Sequence, residues 1–241
     1  MDWANHRREA HGLGRTQEFL KQITYGGNDG IVTTFAIVAG FAGAQADGAA
    51  QIGALAVLIF GLANLFADGV SMGLGEFLST RSAQDMFHSR RAKELAALRA
   101  NPEEERAELT AILRDRGMDG PDVDAAADII ARHPDFVADL MMTYEFGMME
   151  PEADNPAREG LVTFVAFLIF GAVPLSPYFF RPPDDTTLNL SVGMTFLALV
   201  LLGLLRWNAT RENLGRCLGE TVAVGTLCAA VAFGVGRIVG G

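Results

Sequence analysis

The chain has 241 residues, half of them apolar, and a formal net charge of −10. The charges are gathered into blocks rather than spread evenly, which excludes an ordinary soluble domain of this length. The acidic balance also excludes a nucleic-acid-binding surface, because phosphates would be repelled.

In chain order, Met1–Arg15 is charged and lacks the apolar stretch of a cleavable leader. Apolar segments follow at about Phe19–Ala46 and Ile52–Leu78, and charge-free intervals run between Glu159 and Arg181, Asp185 and Arg206, and Glu220 and Arg237. A membrane-spanning helix takes roughly 17–25 mainly apolar residues. The last interval is shorter, and the glycine-rich end Val235–Gly241 extends it. The expected fold is therefore an all-α membrane protein with five transmembrane helices. The expected parts are an N-terminal segment 1–18, spans one and two in 19–78, an inserted domain 79–159, and spans three to five in 160–241. The short termini and the lack of a targeting segment suit a bacterial inner membrane. Cys217 and Cys228 form no paired framework and read as packing residues.

Orientation follows from the basic residues, which stay cytoplasmic near span ends. Arg7, Arg8, Arg15 and Lys21 precede span one, and the loop near Gln45–Gln51 has no Lys or Arg. Arg206, Arg211 and Arg216 lie between spans four and five, whereas Arg181 is offset by Asp184 and Asp185. The N-terminus is expected inside, the C-terminus outside, and residues 79–159 in the cytoplasm.

Two features inside the spans carry chemistry. Asp29 sits in Gly26-Gly27-Asn28-Asp29-Gly30, where glycines allow close approach of a backbone or an ion. In span two, Asn64, Asp68, Met72 and Glu76 are each four residues apart and share one helix face. Gly69-x-x-x-Gly73 beside them is a small-residue packing motif. A structural polar seam explains Asn64 alone as well as an ion path does. Asp29, Asp68, Met72 and Glu76 together favour a cation path, since charge at that depth is costly. A membrane-buried carboxylate can exchange a metal ion for a proton, which makes proton antiport the natural mechanism.

The insert holds 18 of the 29 acidic residues against 10 basic ones, and so concentrates cations. Its first helix continues span two through Leu98. Asn101 as N-cap and Pro102 at the first position start a second helix running to about Arg116. A loop at Asp119–Asp124, a short helix at about Val123–Arg132 broken by Pro134, and a third main helix from Asp135 to Met149 ended by Pro151 complete it. Glu105 and Glu108 share a face, as do Met141 and Glu145, and Glu94 lies near the end of the first helix. Carboxylate oxygens with one thioether suit Fe²⁺ or Mn²⁺. A solvated acidic face is the alternative, and Glu103 and Glu104 read as first-turn charges against the helix dipole. No Glu-x-x-His occurs; Asp85-x-x-His88 stands alone, which argues against a ferroxidase-type di-iron centre.

Four motifs resemble the vacuolar iron transporter family. They are Asp29-Gly30-Ile31-Val32-Thr33-Thr34-Phe35-Ala36 with Ala39-Gly40, Ser71-Met72-Gly73-Leu74-Gly75-Glu76, Met141-Met142-Thr143-Tyr144-Glu145, and Val173-Pro174-Leu175-Ser176-Pro177-Tyr178. The resemblance runs from about Glu18 to Gly241. It implies a five-span homodimer with a cytoplasmic three-helix metal-binding domain, exporting Fe²⁺ and often Mn²⁺ from the cytosol in exchange for protons. By position it implies that Asp29 and Met72 serve translocation and that Glu18 lies near the cytoplasmic entrance. It likewise implies that Glu94, Glu105, Glu108, Met141 and Glu145 bind metal. Ala97 stands where the family pattern has a further glutamate, and Asn64 where eukaryotic members tend to have one, a charge that Asp68 can carry instead. The expected activity is proton-coupled metal export by a non-enzyme, with metal ions, protons, lipid and a second copy as partners and no tightly bound cofactor. A membrane-anchored metal buffer or sensor is one rival, and a membrane oxidase the other.

Overall fold

The structure is a computed structural model describing residues 6, 15–45, 54–150, 155–182 and 184–240. The basic residues Arg7 and Arg8, the loop beyond Gln45 and the helix stop at Pro151 lie outside the described residues. Among the described residues there is no strand. The helices are α1 (Arg15–Glu18), α2 (Leu20–Gln45), α3 (Ala54–Ala100), α4 (Pro102–Asp115), α5 (Pro121–Ile130), α6 (Pro134–Tyr144), α7 (Pro156–Leu175), α8 (Asp185–Thr210) and α9 (Leu214–Gly240). They form two compact units, one combining residues up to Phe77 with those from Ala157 onward, the other Leu78–Pro156.

Four stretches in the described residues are long and apolar enough to cross a membrane: Leu55–Ala100, Pro156–Phe179, Asp185–Thr210 and Leu214–Ile238. Five were expected, and α2 is the one that does not qualify. Lys21, Asn28 and Asp29 lower its hydropathy. The packing supplies the reason such a sequence is tolerated. Helix α2 lies against both α8 and α9, so much of its surface meets protein and need not be apolar.

In this unit Ile31 of α2 joins Ala198, Leu199 and Leu202 of α8 in one buried cluster. Phe35, Val38 and Ala39 join Val57, Leu175 and Tyr178 in a second. Close helix crossings set the spacing. A methyl group added at Gly26 would lie 2.6 Å from the Thr163 carbonyl oxygen, and one at Gly30 would strike the Phe167 carbonyl. On the other flank of α7, a methyl at Gly73 would come within 2.8 Å of the Gly160 carbonyl oxygen, and one at Gly160 would strike that of Gly73. Small residues thus let α2 and α3 approach the α7 backbone directly.

Helix α7 ends at a proline pair. Pro177 has no N–H for the Val173 carbonyl, and the Ser176 hydroxyl donates to it instead at 2.8 Å. The Ser191 hydroxyl of α8 donates to the Pro174 carbonyl at 2.7 Å. Helix α8 starts with Asp184 as N-cap, which accepts from the Thr187 N–H at 2.7 Å. At the α8–α9 corner Arg206 and Arg216 both bind Glu220, at 2.7 and 2.9 Å.

The second unit contains α3 from Leu78 together with α4, α5 and α6. Leu109, Ala127, Val137 and Met141 form its core. Several boundaries differ from expectation. Asn101 occupies the N-cap position of α4, but its side chain makes no capping bond. Helix α5 starts at Pro121, two residues earlier than expected, because Pro121 fits the first helical position after Gly120, whose φ is 67°. Pro134 likewise starts α6 rather than merely breaking the helix before it. Helix α6 stops at Tyr144, short of Met149. Gly147 takes φ 63°, and the Phe146 and Met148 N–H groups turn back to the Met141 and Met142 carbonyls.

The glycine crossings are testable. Gly30→Ala and Gly160→Ala should each lower stability by about 1–3 kcal/mol, the usual cost of overpacking. Gly193→Ala, where nothing lies within 4 Å of the added carbon, should not. Thermal unfolding of the detergent-solubilised protein checks this, and equal losses at all three positions would refute the crossings.

Candidate metal centre and ion path

Gly61, Leu65, Gly69 and Gly73 recur every four residues along α3 and are buried. Asn64, Asp68 and Met72 each come one position before a member of that row, and with Glu76 they are half-buried. The polar stripe therefore runs along the flank of the packing face rather than through it. Asn64 donates its amide to Asp68 at 2.7 Å. Asp29 of α2 is close enough to Asp68 for the two carboxylates to interact electrostatically. Two helices thus each contribute a carboxylate to the apolar unit, near enough to act on the other. Ala63, Ala67, Ser71 and Gly75, on the other side of the stripe, are exposed.

Glu76 ends the stripe. It accepts from Lys21 at 3.2 Å and from the Gln22 amide nitrogen at 3.1 Å. The same nitrogen donates to Glu159 of α7 at 3.0 Å. Gln22 is only 6% exposed, and its Oε1 is buried without a partner. Nearby in sequence, Glu18 pairs with Arg158 at 3.3 Å, and the Arg158 guanidinium also covers the Phe19 ring at 4.6 Å. Sequence reasoning singled out Glu18 and Glu76 but missed Gln22 and Glu159. Their contacts join positions 54 and 137 residues apart, which no periodicity reveals.

In the second unit the expected ligands divide. Glu94 and Glu105 are buried at 7% and 8% exposure. Their carboxyls are near enough for a side-chain hydrogen bond between them. One oxygen of each, Oε1 of Glu94 and Oε2 of Glu105, is buried and unpartnered. Burial, the bond to Glu94 and the nearby carboxylates push the Glu105 acid up to about 7. Burial raises Glu94 too, against the bond from Glu105, which lowers it. Glu145 is raised by burial first, then by Glu108 and Glu105.

Glu108 and Glu145 are exposed beside this pair. Arg90 is the countercharge that acts on Glu94 and Glu145, and it also stacks on Phe146 at 3.9 Å. Met141 is fully buried among Leu109, Ala127 and Val137. Ala97, where a further glutamate was sought, is half-buried and supplies no donor. Among the described residues no three His, Cys, Asp or Glu side chains stand close enough to enclose an ion as arranged. The buried pair nonetheless fits a cation chemically. Two desolvated carboxyls stand side by side and leave two lone-pair-rich oxygens unsatisfied, and a cation relieves both costs.

The profile of the VIT family matches residues 20–237. Vacuolar iron transporter 2 of Oryza sativa subsp. japonica is 31% identical over 222 residues, covering 92% of this chain and 88% of that protein. The vacuolar iron transporter of Plasmodium falciparum is 31% identical over 244 residues, covering 97% and 87%. Vacuolar iron transporter 1 of Arabidopsis thaliana is 28% identical over 235 residues, covering 98% and 91%.

The raised Glu105 acid has a consequence for stability. Its folded value of about 7 lies above the ordinary 4.5, so the folded state binds more protons than the unfolded chain between those values. Stability contributed by this group is therefore present at low pH and lost as pH rises through about 7. In metal-free protein, the temperature at which a heat pulse opens the second unit to proteolysis should fall as the pulse pH rises from 5 to 8. Glu105→Gln should flatten that slope and raise the value at the alkaline end. An unchanged slope in the variant would contradict the raised Glu105 acid.

Proposed function

The chain belongs to the VIT family, and from that premise we propose that this multi-pass membrane protein is a proton-coupled exporter of divalent transition metal ions, Fe²⁺ and also Mn²⁺, from the cytoplasm. The sequence motif at Asp29 and the polar stripe through Asp68 carry the reading, supported by Asp29 on α2 and Asp68 on α3 lying near enough for the two like charges to act on each other within the apolar helices. Two carboxylates held together at that depth cost free energy that a purely structural seam does not require. A cation between them is the compensation such a pair invites. Relatives named as iron transporters supply the cargo class.

On this reading the ion passes Glu76, Met72, Asp68 and Asp29, with Glu18 near the cytoplasmic side. Met72 lies between two carboxylates on one helix face, and its thioether favours ions of intermediate softness over Ca²⁺ or Mg²⁺. Protons returning to the carboxylates reset the path, which makes the exchange electrically cheaper than moving a bare divalent charge. The acidic second unit collects ions on the cytoplasmic side through Glu94 and Glu105, with Glu108 and Glu145 swinging in as exposed partners. Met141 is proposed as a packing neighbour that contributes sulfur only if the core opens. The N-terminus is proposed inside and the C-terminus outside. A vacuole lumen and a cell exterior are both non-cytoplasmic, so the direction is the same in either membrane. The protein is a transporter rather than an enzyme under this reading.

A second copy is part of the proposal. The exposed face Ala63, Ala67, Ser71 and Gly75 adjoins the polar stripe. Small residues every four positions suit close packing of another helix in lipid, and a partner there would screen the stripe from hydrocarbon.

Inside-out vesicles or proteoliposomes test the path. Wild-type protein should take up Fe²⁺ and Mn²⁺ faster with an opposing pH gradient. Asp29→Asn should abolish uptake while the protein still inserts and dimerises, and normal uptake by that variant would sink the assigned path. Ser71→Cys, in a Cys217→Ala/Cys228→Ala background, should form an intermolecular disulfide under mild oxidation; only monomer after oxidation would rule out that face as the dimer seam.

A further inference from the structure

We infer that residues 17–22 form a clasp across one end of the membrane unit, pinned by Gln22, that holds Glu76 until it opens. The clasp takes its role in passing ions from the transport reading, and its existence from the geometry alone.

The geometry starts from where the chain passes between units. It leaves the membrane unit after Phe77 and re-enters at Ala157. Glu76 stands just before the first crossing, and Arg158 and Glu159 just after the second. All three are gripped from one short segment. Glu18 pairs with Arg158 at 3.3 Å, and the Arg158 guanidinium covers Phe19. Glu76 Oε1 accepts from Lys21 at 3.2 Å and from Gln22 Nε2 at 3.1 Å. The same amide nitrogen donates to Glu159 Oε2 at 3.0 Å. Gln17 anchors the other end of the segment, donating to the Ala209 carbonyl of α8 at 3.0 Å. The segment thus ties α3, α7 and α8 together.

The ties differ in strength. The Lys21 side chain is 77% exposed and that of Arg158 48%, and ion pairs of long, exposed side chains contribute little. Gln22 is buried, and both its bonds go to carboxylates, the stronger class of hydrogen bond. Gln22 is therefore the pin. Yet the closed state carries a cost of its own. One amide nitrogen stands between two carboxylates that repel each other when ionised. With its N–H groups facing both, the amide turns its carbonyl elsewhere, and that Oε1 is buried with no hydrogen-bond partner. An unpaired buried amide oxygen costs free energy that water would return. Lifting the segment hydrates the carboxylates and the amide together, so the clasp holds against a bias to open. Gly73 meets Gly160 backbone to backbone beside it. Helices α3 and α7 therefore stay together on opening, and the segment is the part that moves. Opening frees Glu76, the end of the polar stripe.

Hydrogen–deuterium exchange of the full-length protein in detergent reads the clasp. Opening exposes backbone amides at the start of α2, such as that of Ile23, which donates to the Phe19 carbonyl at 2.9 Å. Gln22→Leu should speed exchange in residues 17–25 about tenfold or more, the scale of losing hydrogen bonds to charged groups. Gln22→Glu should do the same, since it sets a third carboxylate against the two. Adding Glu159→Gln to Gln22→Glu exchanges donor and acceptor at unchanged net charge, and should return exchange towards the wild-type rate. A folding defect is not repaired by that swap, and the amides of α4, α5 and α6 report any general loss of stability. Exchange in residues 17–25 that ignores Gln22→Leu, or stays fast in the swapped pair, overturns the clasp. Proteoliposomes then read its role. Mn²⁺ uptake by Gln22→Leu should start faster than in the wild type; an equal or lower rate leaves a strap with no part in transport and overturns that role. The transport reading fails separately. Wild-type protein that moves no Mn²⁺ while the exchange pattern holds keeps the clasp and loses the exporter.

Discussion

The membrane unit depends on how a carboxylate is kept inside an apolar helix bundle. An ionised side chain in such a place must be compensated by a neighbour, and the neighbour must be brought within about 3 Å by the backbone. The glycine crossings provide that reach. Gly26 and Gly30 let α2 press on the α7 backbone, and Gly73 meets Gly160 from the other side. With the helices this close, short side chains suffice. Gln22 spans from α2 to both α3 and α7 with a single amide. Wider crossings would leave Glu76 and Glu159 facing each other without a common donor.

The same device recurs with different donors. Asp68 takes an amide hydrogen from Asn64, one turn back on its own helix. Glu76 and Glu159 share the amide of Gln22, and Glu94 and Glu105 stand near enough for a hydrogen bond between them. The difference matters for exchange. On the transport reading, a proton held at Glu105 leaves when a cation arrives, so the second unit would release acid as it loads.

What could be read from the sequence follows from the range of the interactions. The polar stripe on α3 is a local pattern with a spacing of four, and the structure keeps it on one flank of the helix. The proline starts at Pro102, Pro121 and Pro134 are local too, yet a proline such as Pro134 reads in sequence equally well as the breaker of the helix before it. Helix α2 was counted as a span on length, and its charged and polar residues hold it below the hydropathy of the other four. Gln22 and Glu159 were invisible for a different reason. A glutamine near the start of one helix and a glutamate in the first turn of another are unremarkable alone, and only the fold joins them. The split between buried Glu105 and exposed Glu108 was also hidden, since a spacing of three places two residues on one face without saying how far round that face the core extends.

The two methionines singled out by the sequence end in opposite surroundings, and this bears on where selectivity resides. A thioether binds metal only where a sulfur lone pair can reach the ion. Met141 is enclosed by Leu109, Ala127 and Val137 and has no exposed surface, so its sulfur serves packing as arranged. Met72 is half-buried between Asp68 and Glu76 on the stripe. The second unit therefore offers oxygens, which do not separate Mn²⁺ or Fe²⁺ from more abundant hard cations by softness. On the transport reading, collection there rests on charge, and charge is indiscriminate. On the transport reading, discrimination falls to the membrane unit, where the one accessible sulfur on the stripe stands between two carboxylates. An acidic collector can then be tuned, or lose a ligand as at Ala97, without changing which ion crosses.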